Sequence, residues 1–271
     1  MSLRLLALVV VYGAEPLQTE SLQTLLAIRF DRSNIRVLVW DNSKTPASDT
    51  EALAAADVHY VSTPQNLGLS TIYNRVIAEH LQAGEHLLLL DQDSTLPPDF
   101  LRSCSAAVIQ HPDVDLFLPM IRANGNWVSP LSYLAGWGRY WKQPRAGRMR
   151  SRRVCGINSG MLISSRYLKG DCPGYDERLR FYGTDTQFML DYVDRRRDLV
   201  VLDVRLNHDL SFFSATAGDR VDKFRVMRKA YRYIYEDRPF LQRCAVATVM
   251  LMVSVIYAIR FRKPAVLWAN E

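Results

Sequence analysis

Cysteine is scarce in this chain of 271 residues: Cys104, Cys155, Cys172 and Cys244 are all there are. No two stand as C-x-x-C and no histidine lies at zinc-finger spacing. A disulfide scaffold and a structural zinc centre are thereby excluded as what holds the fold together, and the four read as reduced thiols. No internal repeat and no low-complexity tract occurs, which removes solenoids and disordered arrays. A glycine-rich phosphate loop is missing too. Only Gly13 follows the first apolar run, which argues against a nucleotidyltransferase. The long apolar run near the end, Cys244 to Ile259 (CAVATVMLMVSVIYAI), has 16 residues. About 20 are needed to cross a bilayer. At the other end, MSLRLLALVVVYG has no small-residue cleavage site, so it reads as a buried strand, not a leader.

What is present is an ordinary globular composition, 48% hydrophobic and 23% charged, with net charge +6 and a pI near 9.2. A basic balance suits nucleic acid, anionic lipid or phosphorylated small molecules. Aromatics and bases meet at Tyr231-Arg232-Tyr233, but no nucleic-acid motif accompanies them, and no nucleic-acid partner is expected.

Continuous apolar runs alternate with helical periodicity through the first hundred residues. Strands are expected over Leu3–Tyr12, Ile35–Trp40, His59–Ser62 and Leu87–Leu90. Helices are expected over Leu17–Arg29 and over Ser70–Gln82, with Ser70 as N-cap. This pattern predicts an α/β fold, a doubly wound and mainly parallel sheet flanked by helices. Further on, Val154–Ser164 reads as a strand, Asp185–Arg197 as a helix and Leu199–Val204 as a strand. Asp219–Tyr235 reads as a basic amphipathic helix. The run Arg139–Arg153 holds seven basic residues and no acidic one, and reads as a solvated, mobile loop. Two domains are expected: residues 1–218, and a helical tail over 219–271. The tail either packs on the domain or lies in a membrane interface with Arg243, Arg260, Arg262 and Lys263 toward headgroups.

In such a sheet, ligands bind beyond the carboxyl ends of the strands. Tyr12, Asp41-Asn42-Ser43 and Asp91-Gln92-Asp93 stand at three of those ends. Two carboxylates two residues apart can hold a hard divalent cation, Mg²⁺ or Mn²⁺, which also binds phosphate oxygens. The same Asp-Gln-Asp-Ser could instead be turn chemistry leading into the next helix.

Four stretches in order resemble family 2 glycosyltransferases of the GT-A fold, in particular a bacterial rhamnosyltransferase-like branch. They are Asp41-Asn42-Ser43, Gln65-Asn66-Leu67-Gly68-Leu69-Ser70 with Asn74, Asp91-Gln92-Asp93-Ser94, and Tyr175-Asp176-Glu177-Arg178-Leu179 with Thr184-Asp185. The resemblance spans about residues 3–215. It implies an inverting transfer of a sugar from a nucleotide-sugar donor, dTDP-rhamnose or a UDP-hexose, to a surface-glycan or lipid-linked oligosaccharide acceptor. Tyr12, Asp41, Asn66, Asp91 and Asn158 would contact the donor. Asp91 and Asp93, with His208, would hold the metal, and Asp185 would be the general base. Asn158-Ser159-Gly160 resembles the segment that lines the sugar pocket. Two departures stand out. Thr184-Asp185 replaces a Glu-Asp pair, which keeps Asp176 and Glu177 in contention as base, and Tyr12-Gly13 replaces Tyr-Asn. The resemblance also implies a cytoplasmic protein, peripheral at the inner face of the membrane, with residues 219–263 and the basic run as its contacts. A third class, a non-catalytic membrane-associated interaction protein, is disfavoured by the intact Asp91, Asp93 and Asp185.

Overall fold

The computed structural model describes residues 3–31, 33–208 and 217–261. Three apolar strands make its centre: β1 (Leu5–Val11), β2 (Ile35–Asp41) and β4 (His86–Asp91). β1 pairs in parallel with both of the others. Alternate residues of a strand point to opposite faces, so a strand apolar throughout must be covered on both. Leu6, Leu8, Leu87 and Leu89 enter one core cluster, and Leu5, Ala7, Leu88 and Leu90 enter the other.

Around this centre the chain adds β3 (Val58–Ser62), β6 (Leu116–Ala123), β10 (Gly147–Arg150), β12 (Leu162–Ser164) and β13 (Asp198–His208). The order across the sheet is β3-β2-β1-β4-β12-β6-β13-β10. β12 and β10 run against their neighbours, and the remaining pairs on this path are parallel. The short β5 (Ser94–Thr95) joins β13 and β7 (Asn126–Ser129) joins β6. A small second sheet holds β8 (Leu131–Leu134), β9 (Trp137–Tyr140) and β11 (Val154–Cys155). The covering helices are α1 (Glu20–Ala27), α2 (Thr50–Ala55), α3 (Leu69–Arg75, continued by a π-helical stretch Val76–His80), α4 (Phe100–Gln110), α5 (Ser165–Gly170) and α6 (Thr184–Arg195). The mainly parallel α/β sheet is thus as the sequence predicts.

Several local expectations change. Gly68, not Ser70, caps α3, and the buried Ser70 hydroxyl instead donates to the Leu179 carbonyl at 2.6 Å. The strand expected over Val154–Ser164 breaks into β11 and β12. Gly160 lies in between at φ +76, and a β-carbon there would stand 2.7 Å from Pro119 and 2.9 Å from Leu206. The basic run is in part an ordered sheet edge. Within β10, Arg148 and Arg150 reach Asp198 of β13 at 2.7 and 3.1 Å.

The tail forms α7 (Ala217–Tyr235) and α8 (Phe240–Phe261). Phe224, Ala230 and Ile234 of α7 are buried in the same cluster as Tyr175, Leu179 and Phe188. The 218/219 division therefore runs along a shared core. Val246 and Met250 of α8 join that cluster, while Leu241, Leu251 and Ile259 are exposed. The helix outruns its uncharged stretch: Phe240–Arg260 is 21 residues, long and apolar enough by length and composition to cross a membrane. Arg262 and Lys263 lie outside the described residues.

Candidate active site

Strand register brings the polar strand ends together. Val11 stands opposite Asp41, Val10 opposite Asp91, and Asp41 opposite Ser62. The Asp91-Gln92-Asp93 turn links β4 to β5 and is tied to its neighbours on several sides. The Gln92 side-chain oxygen accepts from the Tyr12 amide at 2.8 Å, and its carbonyl accepts from the Ser21 amide at 3.3 Å. The Ser159 hydroxyl donates to Asp91 and lies 3.1 Å from the Ser94 hydroxyl. Ser94 in turn pairs with His208 across β5 and β13. That pairing brings the backbone of His208 beside the turn, while its side chain lies outside the described residues. The turn is therefore braced between β1, the Ser159 segment and the end of β13, with Asp93 half-buried at its exit.

Asp185 enters at the start of α6. Gly183, at φ +87, caps α6, so Asp185 sits inside the first helical turn rather than at the cap. Its carboxylate accepts from the Thr186 amide at 2.6 Å. Burial pushes the carboxyl above its ordinary value, the Thr186 contacts oppose this, and the charge of Asp91 adds to the rise. Asn158 and Ser159, adjacent in the chain, bond Thr184 and Asp91 respectively, and so bring the start of α6 beside the end of β4. Asp91 and Asp185 also both act on Tyr73 of α3. Burial first, and then these two charges, hold that hydroxyl protonated well above its ordinary range. Tyr73 carries no motif of its own, and sequence reasoning passes over it.

Asn158 completes the group. Its amide donates to the Thr184 hydroxyl at 2.9 Å, which fixes it to the start of α6. Its side-chain oxygen is buried and, among the described residues, has no hydrogen-bond partner. A buried acceptor without a donor is costly, and a substrate hydroxyl is a group that would satisfy it.

The two other carboxylates in contention as base are occupied elsewhere. Asp176 is clamped by Arg178 at 2.7 Å, which holds its carboxyl below the ordinary range. Glu177 accepts from Thr71 at 3.0 Å and from Asn74 at 3.2 Å, bracing the segment onto α3. Asp41 is 1% exposed, and its oxygens accept from the Ser43 and Ala47 amides and from the Tyr60 hydroxyl at 2.6 Å. It shapes the 41–47 loop. Asn42 carries the loop's tie to the next segment, donating to Asn66 at 3.1 Å and to the Leu67 carbonyl at 2.9 Å. Tyr12 is half exposed, and its amide and that of Gly13 are taken by Gln92 and Ser43.

The donor set suits a hard divalent cation. Among the described residues no three His, Cys, Asp or Glu side chains gather as a metal site. Asp91 and Asp93 would supply two oxygens, leaving the rest of an octahedral shell to water and phosphate, the manner in which Mg²⁺ is usually held.

No curated protein is significantly similar in sequence. The fold is similar to that of solved glycosyltransferase structures. Residues 1–349 of S. aureus TarS align with TM-score 0.59 and 16% identity, covering 90% of this chain and 70% of that one. The complex of the same fragment with UDP-GlcNAc gives TM-score 0.58 and 16% identity over 92% and 72%. GalNAc-T7 with UDP, GalNAc and Mn²⁺ gives TM-score 0.59 and 12% identity over 88% and 51%. The sequence itself matches the profile of glycosyl transferase family 2 over residues 7–169, more than half its length. That span runs from β1 through the Asp91-Gln92-Asp93 turn to Asn158 and α5, and the chain therefore belongs to glycosyl transferase family 2 and is a glycosyltransferase.

Proposed function

We propose that the protein transfers L-rhamnose from dTDP-rhamnose, with inversion, onto a hydroxyl of a bacterial surface glycan, at the cytoplasmic face of the membrane. The observation that carries this reading is the joining of the start of α6 to the end of β4, where Asn158 bonds Thr184 and its neighbour Ser159 bonds Asp91, beside an Asp185 carboxyl raised by burial. A base must be poised to take a proton, and a raised carboxyl holds one more readily once it has been taken. Asp185 removes the acceptor's hydroxyl proton as that oxygen bonds to the anomeric carbon. The bond from that carbon to the donor's diphosphate breaks, and the diphosphate leaves with the electron pair. Attack opposite the leaving group inverts the centre, and no enzyme nucleophile is needed. Asp91 and Asp93, with His208 beside them, would hold Mg²⁺ or Mn²⁺, which when bound neutralises charge on the diphosphate. The orphaned oxygen of Asn158 accepts from a sugar hydroxyl and Tyr73 stays protonated. Tyr12, Asp41 and Asn66 stand at the strand ends where the nucleotide would lie.

A second reading keeps the chemistry and changes the donor to a UDP-hexose. It is favoured by the UDP and UDP-GlcNAc present in the similar structures. Calorimetric titration of dTDP, UDP and GDP, each with and without Mn²⁺, separates the two. Metal-dependent binding of dTDP, lost in Asp93→Ala, is the expected result. Binding of UDP alone moves the assignment to the second reading. Binding of none overturns both.

A further inference from the structure

A cavity of about 700 Å³ opens at the edge of the sheet where the strands begin. It is bounded by Leu3, by the turn that leads into β4, by the end of α4 and by α5. A volume of this size takes a drug-sized ligand. His86 begins β4 and lines the cavity, whereas Asp91 ends the same strand at the candidate active site. Six residues of extended chain put the two about 17 Å apart. The cavity is therefore no part of the place where sugar donor and acceptor meet.

Val108 and Ile109 near the end of α4, with Pro112 and Val114 beyond it, give the cavity an apolar wall. Arg4, Arg166 and Lys169 give it positive charge. Glu85 is the one acidic side chain among the lining residues, and it is already held. Arg36 grips it at 2.8 and 2.9 Å, and the Gln82 amide donates to it at 2.8 Å. Arg166 is matched by Asp115 at 2.7 Å. Arg4 donates only to neutral oxygens, those of Ala83 at 3.4 Å and Gln82 at 3.3 Å, and its charge also acts on Glu85. The Lys169 ammonium is exposed and has no ion pair or hydrogen bond among the described residues. His86 adds an uncharged group. Burial lowers its imidazole to about 4, the charge of Asp115 opposes this, and that of Arg166 adds to it. Its Nδ1 is buried without a partner among the described residues, which leaves Nε2 as the nitrogen that can meet a ligand.

We propose that this cavity is a second small-molecule site, which binds an apolar molecule bearing one carboxylate. The apolar body lies against Val108, Ile109 and Pro112, and its removal from water supplies the bulk of the affinity. The carboxylate is taken by Lys169 and Arg4, and the neutral His86 imidazole donates to it through Nε2. Charge-assisted hydrogen bonds of this kind are the stronger ones, and they fix which end of the ligand enters first. The surplus of positive charge is small, because Glu85 and Asp115 already answer Arg36 and Arg166. A single negative charge therefore suits the site better than the two of a phosphate monoester. The site stands whatever donor and acceptor the other edge of the sheet uses.

The test is calorimetric titration of the full chain with naphthylacetate, with naphthylethanol, which keeps the apolar body and loses the charge, and with acetate, which does the reverse. Saturable binding of naphthylacetate, at least about tenfold tighter than either of the others, is expected. Arg4→Gln with Lys169→Gln should weaken it at least about tenfold, to the level of the alcohol. Should that pair not fold, Lys169→Glu alone, at an exposed position, places a like charge at the mouth and should abolish the preference for the acid. Ile109→Glu, at a position 54% exposed, should weaken the acid and the alcohol alike. Proton resonances of the histidine rings, assigned through His86→Phe, should show the His86 signal moving on titration with naphthylacetate. Equal binding of the alcohol, unchanged binding in the variants, a His86 signal that stays still, or no binding overturns the proposal. So does displacement of naphthylacetate by UDP or dTDP, which would put the probe in the nucleotide site at the other edge.

Discussion

The two edges of the central sheet treat the same chemical group in opposite ways. At the edge where the strands begin, Glu85 precedes β4 and Asp115 precedes β6, and both are buried. Glu85 takes a two-pronged contact from Arg36 at 2.8 and 2.9 Å. Asp115 accepts from Ser164, from Arg196 at 2.6 Å and from Arg166 at 2.7 Å. Burial pushes both carboxyls up, but these contacts win and leave them below their ordinary values. At the edge where the strands end, Asp185 has hydrogen bonds from Thr186 and, among the described residues, no arginine, and the charge of Asp91 acts on it. Burial wins, and its carboxyl is raised. One edge spends its carboxylates on stability. The other leaves a buried carboxylate raised, as groups that exchange a proton often are.

The sharpest way to break this contrast is at Asp185. Asp185→Asn should lower kcat by about 10²–10⁴-fold, as loss of a general base does. It should also raise Tm at neutral pH, by about 2–4 °C for each kcal/mol relieved. Turnover with a matched donor and acceptor, and thermal melting, read the two effects. A fall in both activity and Tm would mean that Asp185 is a helix-stabilising residue after all.

Asp115→Asn should do the reverse. It leaves Arg166 and Arg196 without their shared anion, at a cost of about 3–5 kcal/mol and about 10 °C in Tm. Nucleotide affinity measured below the melting range should be unchanged, because the site lies at the opposite edge.

The pH dependence sharpens the comparison through its sign. The folded value of Asp185 lies above the unfolded one, so its stability term falls as pH rises through the folded value. The Tm advantage of Asp185→Asn should therefore shrink from about pH 7 toward about pH 4. The folded value of Asp115 lies below the unfolded one, so its contribution is present above the unfolded value and is lost as pH falls through the folded one. The deficit of Asp115→Asn should shrink only in that lower window. Melting curves across pH would reveal two gaps that close in different ranges, and a common range would dissolve the contrast.

The smallest effect is expected at the sheet's outer rim. Arg148 bridges Asp198 and Asp113 with 41% of its side chain exposed. Arg148→Ala should move Tm by no more than about 2 °C, and added salt should shrink even that.

Much of this was legible in the sequence, and the reasons are physical. Strands such as Leu5–Val11 and His86–Asp91 are apolar on both faces, and only a parallel sheet covered on both sides accommodates them. Their ends then fix where Asp41 and Asp91 must lie. Asp185 was legible by resemblance, which also favoured it over Asp176 and Glu177 through the helix that follows it. What occupies those two is Arg178, two residues from Asp176, and Thr71 and Asn74, which reach Glu177 from α3. Tyr73 and the orphaned oxygen of Asn158 were invisible, since burial and missing partners are properties of the packed chain. The split of Val154–Ser164 was hidden because the contacts that forbid a side chain at Gly160 come from Pro119 and Leu206, far off in sequence. α4 and β6 were missed because short apolar runs do not separate a buried strand from a helix.

Gly183 bears on how this chain can be rebuilt. A β-carbon there would stand 2.9 Å from Ile234 and 3.2 Å from Ala230, in a backbone conformation that other residues rarely adopt. The tail is therefore keyed to the loop that leads into Asp185 by the absence of a single methyl group. An engineer who grafts the last two helices of a relative onto this core must carry the notch along with them, or α7 will stand away from the segment that carries Asp185.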